Sequence, residues 1–212
     1  MSGILDLLGS NLGKSIISGV SGSAGTDESK TSTALTMALP VLMTAMKRNA
    51  ATPKGAEGLM GALTGKHDGS ILDNLGGFFN GGVDESVTQE GDKILNHVLG
   101  DKKSGVEKII SEKSGLDAGS VANVLKMSAP LLMGVIGRQR RQNNTTSPGD
   151  LSSLLGNFIG GNEMKEEQNF LEKILDAGGD GSVIDDVAGM VLGKAGGKKG
   201  GLGGLLGGLF GK

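Results

Sequence analysis

Apolar residues along this chain recur at helical spacing. Leu35, Ala38, Leu39, Leu42, Met43 and Met46 fall three or four residues apart, and Val121, Leu125, Ser128, Ala129, Leu132, Met133 and Ile136 do the same some ninety positions later. That spacing places each set on one stripe of an α-helix. Asp27 and Asp117 precede the two stretches as N-caps, and Lys47, Arg48, Arg138 and Arg140 stand near the carbonyl ends, where cations offset the helix dipole. Thr52-Pro53 and Ser147-Pro148 each put a capping hydroxyl before a proline at a first helical position. Ser70 with Asp73, and Ser182 with Asp185, give serine caps with a carboxylate three residues on. No run alternates β-branched and polar residues. The pattern predicts an all-α, multi-helical fold.

The stretches share landmarks: a shift of 90 sets Leu35, Met37, Pro40, Leu42, Met43 and Arg48 on Leu125, Met127, Pro130, Leu132, Met133 and Arg138. "HDGSILDNL" at 67–75 returns as "GDGSVIDDV" at 179–187, after an extra acidic helix "EMKEEQNFLEKIL". This order of landmarks predicts a first helical repeat over 1–90, a second over 91–192, and a Gly/Leu/Lys-rich tail over 193–212. A proline inside a helix removes a backbone hydrogen bond and costs about 3 kcal/mol when nothing relieves it. Pro40 and Pro130 at equivalent places therefore predict built-in kinks in two long helices, packed face to face through their Leu/Met stripes. "GILDLLGSNLGKSII" at 3–17 is expected to form the first core helix.

Composition narrows the function. Forty glycines, five phenylalanines and no tryptophan, tyrosine or cysteine leave a core of Leu, Ile, Val, Met and Ala. Without cysteine there is no disulfide framework and no thiolate ligand or nucleophile, which fits a reducing compartment. No apolar run approaches the roughly 20 residues of a membrane span, so a cytoplasmic chain is expected. A net charge of −2 gives no field that would draw nucleic acid.

Candidate chemistry is sparse. "HDGS" brings His67, Asp68 and Ser70 together, but a hydrolytic triad needs such residues to converge from separate places. Helix capping accounts for Asp68 and Ser70, and His67 is expected at the surface. Asp180 and Ser182, within "DAGGDGSVIDD", lack the alternating oxygens and closing glutamate of a calcium loop. His97, between apolar neighbours, is expected in the core or at its boundary. "GSNLGKS" at 9–15 and "GMVLGKA" at 189–195 have one residue too few between their glycines for a phosphate loop. "RQRRQNN" at 138–144 has no aromatic neighbour to stack on bases and is expected to be a solvated helix end. No cofactor and no metal is expected.

The tail "GLGGLLGGLFGK" sets Leu202, Leu205, Leu206, Leu209 and Phe210 on one helical face, with glycine filling the rest. Each interior glycine costs about 1 kcal/mol relative to alanine, so this segment needs a cover for its leucines before it can fold. A membrane surface could also draw it, since Lys194, Lys198, Lys199 and Lys212 follow the last acidic residue, Asp186. These features lead to a non-enzymatic interaction module, binding itself or another protein helix through its Leu/Met surfaces and the amphipathic tail. The alternatives are peripheral attachment to an anionic membrane and a metal-dependent enzyme using His67 with Asp68 or the Asp180 cluster.

The combination of "ALPVLMTAMKRNA", "HDGSILDNL", "GDKILNHVLG" and "SGLDAGSVANVLKMSAPLLMGVIGRQ" resembles the bacterial domain-of-unknown-function family 937, which includes the YidB-like proteins. The likeness runs from about residue 2 to residue 160. It implies an α-helical, cytoplasmic bacterial protein with no established activity. Gly179 stands where the second copy would repeat His67.

Overall fold

The computed structural model describes residues 4–80 and 82–159, all within one compact unit, Met1–Gly181. The expectations for the acidic helix, for Asp180 and Ser182, for "GMVLGKA" and for the tail with Leu202, Leu205, Leu206, Leu209 and Phe210 lie outside the described residues.

The described chain is all-α. Its α-helices are α1 (Ile4–Gly9), α2 (Asn11–Ala24), α3 (Glu28–Ala50), α4 (Pro53–Thr64), α5 (Leu75–Phe79), α6 (Glu85–Leu99), α7 (Lys103–Ser114), α8 (Ala118–Gln142) and α9 (Pro148–Ile159). Short 3-10 turns, Ser70–Asn74 and Gly100–Lys102, lead into α5 and α7.

Boundary chemistry follows the side chains that were expected to set it. The Asp27 carboxylate accepts from the Lys30 N–H at 2.9 Å, and that of Asp117 from the Ser120 N–H at 3.0 Å. Thr52 accepts from Gly55 N at 3.1 Å, with Pro53 at the first position of α4. Ser147 accepts from Asp150 N at 3.2 Å. The helices preceding α3 and α8 both exit through left-handed glycines, Gly25 at φ 65° and Gly115 at φ 70°.

The amino end departs from expectation. Residues 3–17 do not form one helix, because Ser10 breaks the run: its hydroxyl accepts from Gly13 N at 3.2 Å and donates to Leu7 O at 2.6 Å. One side chain thereby ends α1 and starts α2. A serine that can satisfy both ends locally competes with the continuous helix.

α3 and α8 form the centre. α3 packs on α2, α4, α7, α8 and α9, while α8 packs on α2, α4, α6, α7 and the first 3-10 turn. The predicted stripes are buried, but burial goes beyond a stripe. Every residue from Ala38 to Met46 and from Met127 to Gly137 is buried, so both rods are enclosed all round over these central spans. α8 is by length and composition apolar enough to cross a membrane, contrary to expectation, yet 72% of its most apolar window is buried within the protein. It is the core helix of this fold.

Pro40 and Pro130 are each the thirteenth residue of their helix, both are buried, and helix continues on either side. A proline leaves the carbonyl four residues earlier without its helical donor. For Pro40 that residue is Thr36, which is exposed and open to water. For Pro130 it is Lys126, whose carbonyl lies against Gly91 of α6 so closely that a β-carbon there would collide with it. The released oxygen thus faces the Cα hydrogens of Gly91, a weak polar contact that only glycine allows.

Two substitutions separate this contact from helix propensity. Gly91→Ala should lower stability by about 2–3 kcal/mol, because α6 must move off α8. Gly61→Ala in α4, where nothing lies within 4 Å, should raise it by roughly 0.5–1 kcal/mol. Urea denaturation midpoints at constant slope measure both.

Candidate functional site

The segment between α4 and α6 carries the "HDGS" residues and lies across the carboxyl end of α8. It enters through the His67 N–H, which donates to Ala62 O at 3.0 Å. Asp68 then accepts from Ser70 N at 2.9 Å through one carboxylate oxygen. Gly69 sits at φ +102°, where a side chain is disfavoured, and a β-carbon there would also press on the Arg138 backbone. The 3-10 turn follows, with Leu72 buried and Ile71 against Gly134 of α8. α5 completes the strap, laying the Phe79 ring on Gly19 of α2 and setting Phe78 edge-on to it with ring centroids 4.8 Å apart. Residues 65–79 therefore tie α8 to α2.

Two arginines of α8 hold the strap from the other side. Arg138 pairs with Asp73 and also donates to Gly69 O at 3.3 Å. Arg141 donates to Asp68 at 3.2 Å, using the oxygen that Ser70 leaves free. Arg140 donates to Thr145 O at 3.3 Å, outside the strap. Gly137 meets the His67 carbonyl with no room for a β-carbon.

His67 is buried at 6% exposure, which corrects the expectation of a surface histidine. Its Nε2 lies 3.5 Å from Glu90 Oε1 of α6, and Lys66 Nζ lies 3.5 Å from the other Glu90 oxygen. Burial lowers the His67 pKa below its ordinary value, and the hydrogen bond and charge of Glu90 oppose that without cancelling it. Hydrogen bonding from Ser70, its backbone N–H first, holds the Asp68 carboxyl below the usual carboxylate range, with Arg141 and Arg140 adding to the effect.

Ser70 corrects a second expectation. It is exposed and makes no cap bond; Asp68 supplies the side-chain oxygen from two residues earlier, and Asp73 goes to Arg138 instead of closing a capping box. His97 corrects a third: it is exposed on α6, and its carbonyl, not its ring, accepts from Asn49 Nδ2 at 3.3 Å. The apolar residues beside His97 sit on neighbouring faces of the helix, as sequence adjacency alone cannot tell. The basic cluster at 138–144 is the carboxyl end of α8 and is exposed from Arg141 to Asn144, as expected, while Arg138 and Arg141 also reach the strap.

His67, Asp68 and Ser70 do not converge as a triad. His67 turns to Glu90, while Asp68 is engaged by Ser70 and Arg141. Among the described residues no three of His, Cys, Asp and Glu come together in a way that could hold a metal ion. A second polar cluster joins α6, α7 and α8: Asp92 accepts from Lys103 at 2.6 Å and from Asn96 at 3.0 Å, with Lys126 at 3.5 Å. Two lysines beside Asp92 leave it internally compensated, and its pKa is lowered chiefly by the Lys103 hydrogen bond. Burial raises the Glu107 pKa against the pull of Lys103 and Lys126. An apolar hollow between α1, α2, α3 and α8 is lined by Leu7, Ile16, Leu35, Leu39, Leu131 and Val135. The hydroxyl at its wall, on Ser128, donates to carbonyls of its own helix.

The fold and this strap define a helical protein organised about two proline-bearing core helices. The family described as bacterial protein of unknown function (DUF937) matches residues 6–139, well over half the chain, and this chain belongs to it. No curated protein matches the chain, and no solved structure does.

The strap offers a test of which contacts hold it. The Asp73 side chain is 69% exposed, so Asp73→Asn should cost no more than about 1 kcal/mol. Gly137→Ala should cost more, about 2–3 kcal/mol, because it forces the His67 backbone away from α8. Denaturation of the two variants beside the parent protein ranks packing against charge.

Proposed function

We propose that this protein is a non-enzymatic helical interaction module that associates with itself or with an apolar helix through its carboxy-terminal segment. The observation that carries the reading is a contrast between the folded body and the tail. Among the described residues, no Leu, Ile, Val, Met or Phe whose side chain is described is exposed. The Leu/Met stripes of α3 and α8 lie inside the core, which favours the tail over them as the partner surface. The tail sequence, by contrast, sets Leu202, Leu205, Leu206, Leu209 and Phe210 at helical spacing among glycines. A glycine-rich amphipathic segment gains little from folding alone and much from a partner that covers its apolar face.

A second reading is peripheral attachment to an anionic membrane. The excess of lysine after Asp186 favours it, because basic charge beside an amphipathic segment draws it to anionic headgroups. Both readings place the protein in the cytoplasm, on the strength of its cysteine-free composition.

Deleting residues 196–212 tests both. Light scattering should show a smaller assembly, or capture experiments a lost partner, while the thermal unfolding of the body stays the same. Unchanged mass together with unchanged capture would remove the interaction reading. Flotation with phosphatidylserine vesicles separates the membrane reading: binding that weakens as salt rises, and disappears on deletion, would favour it over a protein partner.

A further inference from the structure

We propose that the strap formed by residues 65–79 is an acid-responsive latch on α8, with His67 as its sensor and the Arg138–Asp73 and Arg141–Asp68 pairs as its clasp. The latch stands on three observations. His67 is the buried histidine of the described chain, whereas His97 is exposed, so it is the one whose charge depends on whether the strap is closed. Its carbonyl is seated on Gly137 and its side chain is only 8% exposed, so the docked strap shields the imidazole from most water. The strap closes a junction between α8 and α2 through a few contacts, Ile71 on Gly134 and Phe79 on Gly19, with Leu72 as its one buried apolar side chain.

The charged groups facing His67 decide the sign. Lys66 on the strap itself opposes a proton on the imidazole, and Glu90 on α6 favours it at 3.5 Å. On α8, Arg138 and Arg141 are each engaged with a strap carboxylate, Asp73 and Asp68. Burial outweighs Glu90, so the closed strap holds a neutral imidazole and an open strap returns it to its ordinary value of about 6.5. The open form therefore binds the proton more tightly. As pH falls below about 6.5, opening becomes easier, and the effect ends once pH passes below the closed-state value. Asp68 keeps its clasp through this window because its carboxyl is held below the usual range. Opening uncovers the Gly134–Gly137 face of α8 together with two guanidinium groups.

Amide hydrogen exchange on the full-length protein tests the latch, read as protection factors to remove the intrinsic pH dependence of exchange. The probes are Ser70 N–H, bonded to Asp68, and Leu72 N–H, bonded to Gly69 O, with the amides of Leu125 and Leu39 as core references. Protection at Ser70 and Leu72 should fall as pH drops below 6.5, by no more than tenfold per pH unit, the limiting slope for one proton. The core amides should not follow. His67→Gln should flatten the dependence, and Glu90→Gln should extend the window to lower pH by removing the opposing carboxylate. If His67→Gln does not fold, the imidazole Hε1 titration of the parent protein replaces it, and its midpoint should track strap opening. An equal pH dependence in His67→Gln, or an imidazole that titrates with no change at Ser70 and Leu72, would overturn the proposal.

Discussion

The structure depends on enclosing two long helices on all sides with side chains that are small and mostly aliphatic. With no tryptophan or tyrosine to fill space, close approach of backbones has to supply the packing that large rings supply elsewhere. Glycine does this at the decisive contacts. Gly91 lets α6 reach the Lys126 carbonyl, Gly137 lets the strap reach α8, and Gly19 lets Phe79 lie on α2. A chain with 40 glycines is thus not loosely built where the glycines face another helix.

This constraint also gives the prolines a setting. Pro40 and Pro130 occupy the same position in α3 and α8, but the carbonyls they release meet different surroundings. Thr36 is open to solvent, whereas Lys126 is closed off by α6. The repeat read from the sequence is therefore not carried through to identical contacts. On one side water can satisfy the released acceptor. On the other, a glycine from the neighbouring helix takes its place.

Helix chemistry was legible in the sequence because it is local. Asp27, Asp117, Thr52 and Ser147 cap helices by reaching three residues along the chain, and spacing alone reveals such partners. The candidate site was legible only in part. "HDGS" stood out as a polar island, but its partners Glu90, Arg138 and Arg141 come from helices far along the chain, and no local pattern links them. The exposures of His67 and His97 were inverted for the same reason. Apolar neighbours in sequence suggested a buried His97, although on a helix they occupy other faces; His67, among polar and glycine residues, is buried by the docking of the whole strap. The apolar spacing of residues 3–17 runs through Ser10 and masks the helix break there.

The shared interior of α3 and α8 is tested most directly by native-state hydrogen exchange across a series of urea concentrations. One common core predicts that the central amides of both helices, from Ala38 to Met46 and from Met127 to Gly137 except the prolines, exchange through a single opening whose free energy equals that of global unfolding. If the amides of one helix opened several kcal/mol below those of the other, each rod would belong to a separately stable unit, contradicting the single core.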